Sequence, residues 1–249
     1  MMLFLSALLG LSLGSFANVC IYRIPRKLSI VAPRSFCPNC QRSLAWYELV
    51  PILSFVLLKG RCRTCKSRIS VQYPLVELTT GAFAVLLYFH FGATPKTLIA
   101  IALFILFLVI AVIDWTSLII PNSLVIAGLL LGVIDYSFFS VHMLLSAALS
   151  AALASAFTFV ARAAGNQIFK KDTMGIGDIK LAGLIGLFIG FEHFLVAVWL
   201  AAILGIIYWS IQRVLNRTAK DSRLPFGTFL SVTAIIIYLA PAPSIPFIR

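Results

Sequence analysis

The chain of 249 residues carries 61% hydrophobic and 11% charged residues, whereas a soluble domain has roughly 25% charged and about 45–50% apolar residues, so an ordinary water-soluble globule is excluded. Twenty basic and eight acidic residues leave a net charge of +12. Retention of Lys and Arg at the cytoplasmic face of a membrane, together with attraction to anionic membrane lipid, accounts for that excess with no nucleic-acid partner.

Apolar runs recur along the chain without strict alternation, the pattern of helices that satisfy every backbone polar group internally while crossing hydrocarbon. The expected fold is an all-α integral membrane protein of about eight transmembrane helices, with a cytoplasmic zinc-binding loop between the first two. Spans are expected at 3–21, 73–91, 97–114, 118–138, 142–163, 179–192, 194–212 and 225–241. This divides the chain into a first helix (1–22), a basic loop (23–72) and a seven-helix membrane domain (73–249). The first run lacks a basic start and a small-residue cleavage site, and is expected to be a retained helix. An even number of spans puts both termini on one side. Ten Lys and Arg lie between Arg23 and Arg68, four between Arg162 and Lys180 and four between Arg213 and Arg223, all on one face of this topology. The other face keeps Lys96 and Arg249. The crowded face is therefore expected to be cytoplasmic, with both termini outside the cytoplasm.

In chain order, chemistry begins in the polar loop, with Cys37-Pro38-Asn39-Cys40 and Cys62-Arg63-Thr64-Cys65. Each C-x2-C pair forms a tight knuckle presenting two thiolates, and four thiolates complete tetrahedral zinc with no open position, so the metal is expected to be structural. A reducing cytoplasmic face argues against two disulfides. Ligand type alone leaves an iron centre with the same four ligands open. Cys20 has no partner spacing and is expected to be a buried bystander, and Glu48 receives no role.

Two acids stand at helix mouths: Asp114 ends the third span in VIDWTSLIIPN, and Asp178 opens the short sixth span in MGIGDIKLAG. The third span runs inward and the sixth outward, so both carboxylates reach the cytoplasmic level. Two carboxylates in one site share a proton. One can then take a proton from water while the other donates to a scissile carbonyl, the chemistry of an aspartic protease. Gly175 and Gly177 would allow close backbone approach and a sharp turn before the helix. The plainer reading makes Asp178 a helix N-terminal acid favoured by the macrodipole, Asp114 an interfacial residue and Lys180 a snorkelling cation. His90, His142 and His193 fall near outer span ends, far from this pair. Asp135, Asp172, Glu192 and Asp221 read as solvated charges. No phosphate loop, HExxH or GxSxG occurs.

GIGDIKL at 175–181, Ile113-Asp114 followed by IPN at 120–122, the double C-x2-C loop and LGSFANVCIYRIP at 13–25 together resemble the bacterial prepilin peptidases, the type IV leader peptidases. The motifs occur in the family's order from the first span to the last. The resemblance implies an inner-membrane aspartic endopeptidase with Asp114 and Asp178 as the catalytic pair, which makes the compartment of both termini the periplasm under the charge-based orientation. It implies prepilins and pseudopilins of type IV pilus or type II secretion systems as substrates, cleaved after a glycine that ends a short basic leader. It also implies N-methylation of the new amino terminus from S-adenosylmethionine. Glu77, about one turn into the second span, then reads either as an interfacial carboxylate or partner for a loop arginine, or as part of the methyl-donor or substrate site. The chain departs from the family at Asn122, where aspartate is common. A proton-coupled transporter and a non-catalytic secretion-assembly component are the rival readings, and the first leaves the four-cysteine loop without a task.

Overall fold

The computed structural model describes residues 1–137, 141–215 and 224–239. Arg217, Lys220, Asp221, Arg223, Arg249 and the ends of the spans expected at 118–138 and 225–241 lie outside the described residues. Within them the regular structure is helical, with two isolated antiparallel bridges and no strand. In chain order come α1 (Met2–Arg23), a 3-10 turn (Trp46–Leu49), the short α2 (Leu53–Leu57), α3 (Gln72–Phe91), α4 (Pro95–Ser117), α5 (Asn122–Ser137), α6 (Val141–Phe169), α7 (Ile176–Leu215) and α8 (Phe226–Leu239). Five of them, α1, α3, α4, α6 and α7, are long and apolar enough to cross a membrane, while α5 and α8 are apolar but shorter. The protein is an all-α, multi-pass membrane protein.

The spans expected at 179–192 and 194–212 are the two halves of α7, a 40-residue element interrupted at Gly190, where φ is 77° and ψ is 161°. A side chain would clash in that backbone region, so the break falls at the glycine. It lies slightly upstream of the expected boundary. Ending the i→i+4 ladder in an apolar setting strands carbonyls that no water can reach. The buried Tyr136 hydroxyl, from α5, donates to the Leu187 carbonyl at 2.7 Å just before the break.

The chain divides into two compact units, Met1–Ile105 and Leu106–Arg249. In the first, α1 meets α3 at small residues. A Cβ on Gly10 would fall 2.6 Å from the Ala84 Cβ, and one on Gly14 would overlap the Thr80 hydroxyl. Small residues let helix backbones approach where lipid removes the usual hydrophobic drive to associate. The Asn18 amide adds a polar tie by donating to the Tyr73 carbonyl at 3.1 Å. In the second unit, α6 packs along α7 with Ser150, Ala154 and Ser155 against Gly183 and Gly186, and α5 meets α7 at Gly128 and Gly132. Thr233 of α8 donates to the Ala197 carbonyl of α7 at 3.1 Å.

Replacing Tyr136 with Phe should remove the donor to Leu187 and destabilise the second unit by about 1 kcal/mol, the usual worth of one interhelical hydrogen bond in an apolar setting. The check is thermal unfolding in detergent. A lower Tm is expected for Tyr136→Phe, and an unchanged Tm would mean that the bond contributes nothing.

Candidate functional site

Asp178 occupies the third position of α7. Its Oδ2 accepts the Gly175 N–H at 3.0 Å, and its own N–H donates to the Gly175 carbonyl at 3.2 Å. This is one half of a capping box, in which a side chain at the third helical position reaches back to the residue that caps the helix. The helix N-terminal role is therefore real, but it does not exhaust the group. Asp178 is only 9% exposed, and its Oδ1 accepts no hydrogen bond among the described residues.

Asp114 lies one turn before the end of α4 and is 5% exposed. Its own helix presents it with the unfavourable negative end of the macrodipole. Compensation comes from α8, whose first turn supplies the Thr228 N–H at 2.8 Å and the Thr228 hydroxyl at 3.2 Å, both directed at Oδ2. The same hydroxyl contacts the Ala111 carbonyl at 2.8 Å. Each carboxylate thus sits at a helix N-terminus, where unpaired N–H groups favour negative charge.

Ile120 brings the two acids together. It follows Leu118, which turns the chain out of α4 with φ of 54°. Its side chain lies between the starts of α7 and α8: a Cβ on Gly177 would fall 3.0 Å from the Ile120 Cβ, and one on Gly227 would fall 3.0 Å from both the Ile120 Cδ1 and the Asp114 Oδ2. Asp178 lies within electrostatic reach of Asp114. Neither Gly175 nor Gly177 has the positive φ that a glycine-only turn requires. Gly177 serves close approach, as expected, whereas the sharp turn is made without left-handed backbone. Lys180 donates to the Asn122 Oδ1 at 2.8 Å, tying the start of α7 to the start of α5. Its role is a specific bond, and the neutral amide at Asn122 serves as the acceptor.

Thr228 and Gly227 escaped the sequence reading, because their partner Asp114 is distant in the chain and Phe226-Gly227-Thr228 resembles no catalytic motif. Arg162 escaped as well, as one basic residue among many. It donates to the Met174 carbonyl at 2.8 Å, directly ahead of Gly175.

In the first unit, Cys37, Cys40, Cys62 and Cys65 place their Sγ atoms within 4.8 Å of one another, and all four are free thiols. The Cys37 and Cys65 sulfurs are 3.8 Å apart. That is the edge of a tetrahedron with metal–sulfur bonds of about 2.3 Å, and far beyond a disulfide bond. The two knuckles are built alike. Cys37 N–H bonds the Arg42 carbonyl and Cys62 N–H bonds the Ser67 carbonyl. Bridges Phe36–Ser43 and Arg61–Arg68 close them, and the residue after each second cysteine, Gln41 or Lys66, has positive φ. The Ser67 hydroxyl and N–H, with the Asn39 amide, hold the Cys65 thiol down at about 5, in the thiolate form that metals bind. The donor set fits a metal such as zinc.

Glu48, unassigned from sequence, pairs with Arg42 at 2.7 Å and accepts the Ala45 N–H at 2.8 Å, locking the first knuckle to the following turn. The Arg42 guanidinium holds the Glu48 carboxyl below its ordinary range. Arg23, buried at the end of α1, donates to the carbonyls of Ser29, Pro33 and Arg34. Glu77 is buried in α3 and accepts the Ile52 N–H at 2.8 Å, fixing the chain ahead of α2. Its partners are the Ile52 backbone amide and the Ser15 hydroxyl, not a loop arginine. Cys20 is buried and unbonded to the cluster, as expected.

Two family models match the chain: the bacterial peptidase A24 N-terminal domain over residues 8–91 and the type IV leader peptidase family over residues 101–210. Proteins named prepilin leader peptidase/N-methyltransferase are similar over nearly the full length. The Bacillus subtilis relative is 34% identical over 96% of this chain and 94% of its own. The Vibrio cholerae relative is 32% identical over 96% of both chains, and that of Neisseria gonorrhoeae is 30% identical over 95% of this chain and 90% of its own. No solved structure matches.

Protein purified under reducing, chelator-free conditions should carry one equivalent of metal per chain, measured by elemental analysis. Cys62→Ser should release it and expose residues 23–71 to proteolysis, while helical circular dichroism persists, because loop folding is coupled to metal binding and helix packing is not. Metal-free protein with a protected loop would contradict this.

Proposed function

The chain belongs to the type IV leader peptidase family, and from that membership we propose that Asp114 and Asp178 are the catalytic pair of a prepilin peptidase that also N-methylates its product. It is a multi-pass protein of the bacterial inner membrane and an enzyme acting on type IV prepilins. The observation that carries the site assignment is the convergence of two buried carboxylates, each held through Oδ2 by the N-terminal amides of a helix, around Ile120.

With one proton shared between them, the ionised aspartate takes a proton from water as that water attacks the scissile carbonyl, and the protonated one donates to the carbonyl oxygen. The tetrahedral species then collapses by breaking the C–N bond, and the proton taken from water passes to the leaving amine. The Thr228 and Gly175 amides keep one oxygen of each acid fixed, so little reorganisation is needed during proton transfer. The Ile120 side chain fills the space between Gly177 and Gly227. Prepilin and pseudopilin leaders, the substrates that family membership implies, would meet the pair at the cytoplasmic membrane surface. The bias of basic residues supports both termini in the periplasm and the loops near 23–71 and 213–223 in the cytoplasm next to anionic lipid.

Cys37, Cys40, Cys62 and Cys65 would hold structural zinc, which supplies the fold of a loop too polar to build a core. S-adenosylmethionine would supply an electrophilic methyl group on a cationic sulfur. Residues of the first unit fit such a cation: the Asn18 Oδ1 is buried with no partner, and Glu77 offers a buried carboxylate one helical turn from Tyr73, to which the Asn18 amide is tied. Both are acceptors suited to a positive group. Gly175, Gly177 and Lys180 support the geometry of Asp178 without reacting.

Asp114→Asn and Asp178→Asn should each lower prepilin cleavage at least about 10³-fold in folded, inserted protein, since an amide can neither take water's proton nor cycle as an acid. Near wild-type processing by either variant would defeat the assignment. A bell-shaped pH profile belonging to the pair is expected for the unaltered enzyme. Gly227→Ala should lower kcat about tenfold or more, because its methyl group would press on the Asp114 Oδ2. Glu77→Gln should reduce methylation of a peptide supplied already cleaved while cleavage persists, and equal methylation would remove Glu77 from the methyl-donor site. Cysteine-accessibility labelling should place residues 23–71 and 213–223 on the cytoplasmic side, and labelling from the periplasm would overturn the topology.

A further inference from the structure

Arg162 stands in α6, and its Nε donates to the Met174 carbonyl at 2.8 Å. That carbonyl belongs to the peptide group joining Met174 to Gly175. The N–H of the same peptide donates to the Asp178 Oδ2 at 3.0 Å. A guanidinium and a carboxylate therefore lie at opposite ends of one peptide dipole. A cation at the C=O end and an anion at the N–H end polarise the group in the same sense, so each hydrogen bond strengthens the other.

The surrounding contacts keep this peptide in place. Arg162 also meets the exposed Asp172 carboxylate at 3.3 Å. Asn166, one helical turn further along α6, accepts the Thr173 N–H and hydroxyl, each at 2.9 Å. The segment entering α7 is thus fastened to α6 from two sides before it reaches Gly175. Lys180, the cation on the same turn of α7 as Asp178, is engaged by Asn122. The Arg162 bond is the one that reaches Asp178 through a shared peptide.

We propose that Arg162 is a positioning residue for Asp178, acting through the Met174–Gly175 peptide to hold the carboxylate in its reactive orientation. This rests on the peptidase reading of Asp114 and Asp178, and deepens it by adding a residue on α6 to a site otherwise built from α4, α7 and α8.

The test uses the full-length enzyme in detergent and a synthetic peptide with a short basic leader, a glycine and an apolar helix-forming segment. Arg162→Met should lower kcat roughly 10- to 100-fold while KM stays within about threefold, the scale expected when a reacting group drifts from its productive geometry. Arg162→Lys keeps a charged donor and should recover part of the loss. Arg162→Gln keeps a neutral donor and should fall between Lys and Met. Asp172→Asn removes the exposed ion pair, alters the neighbouring Asn166 contact and leaves the Arg162–Met174 bond in place, and should keep kcat within about threefold. A near wild-type kcat for folded Arg162→Met overturns the proposal. So does a loss in Asp172→Asn as large as that in Arg162→Met, which would assign the effect to loop docking. If Arg162→Met does not accumulate, the order of Lys and Gln decides, and Gln equal to Lys overturns the proposal. Asp178→Asn run in parallel separates the two ideas. Full activity there sinks the peptidase reading, whereas an inactive Asp178→Asn beside fully active Arg162 variants sinks the role of Arg162 alone.

Discussion

Polar groups at membrane depth must find their hydrogen-bond partners within the chain, because hydrocarbon supplies none. The second unit is organised by that constraint. Where α7 breaks at Gly190, the Tyr136 hydroxyl takes the Leu187 carbonyl. Where α8 crosses α7, Thr233 donates to Ala197. The same constraint shapes the site, since a buried carboxylate without donors would be too costly to keep there. Gly175 serves Asp178 and Thr228 serves Asp114, both through helix N-terminal amides, the Thr228 N–H being shared with the Pro225 carbonyl at 3.2 Å.

Small residues do two jobs in this architecture. Along α1 and α3, and along α6 and α7, they let helix backbones approach where apolar side chains gain nothing over lipid. At the site, the missing side chains of Gly177 and Gly227 admit Ile120, and that wedge sets how closely the starts of α7 and α8 come to Asp114. Fold packing and site geometry rest on one steric device, so enlarging Gly227 would act on both.

The polar loop of the first unit follows a different logic. It has few buried apolar side chains, and its order comes from specific polar anchors: the four thiols, Arg23 on three loop carbonyls, Glu48 on Arg42 and Ala45, and Glu77 on the Ile52 amide. Two knuckles of the same construction converge on one cluster. A segment of this kind takes its order from specific polar contacts where a hydrophobic core is absent, and its four thiols fit a metal that would add to them.

The sequence by itself determined whatever depends on local pattern. Apolar runs marked the helices, even the two halves of α7, because span length and period are properties of contiguous residues. The C-x2-C spacing marked the four-thiol cluster for the same reason, since each knuckle is made by neighbours in the chain. The acids were legible as Asp114 and Asp178 because carboxylates are rare in apolar surroundings and their motifs resemble a known family. Tertiary structure alone decided what holds them. Thr228 and Gly227 lie more than a hundred positions from Asp114, and Arg162 acts through a peptide it meets only once α6 and α7 pack. Lys180 reads from sequence as a snorkelling cation and becomes a partner of Asn122 only when α5 docks. Pairings of this kind are set by helix packing, which brings together residues that no periodicity or spacing along the chain relates.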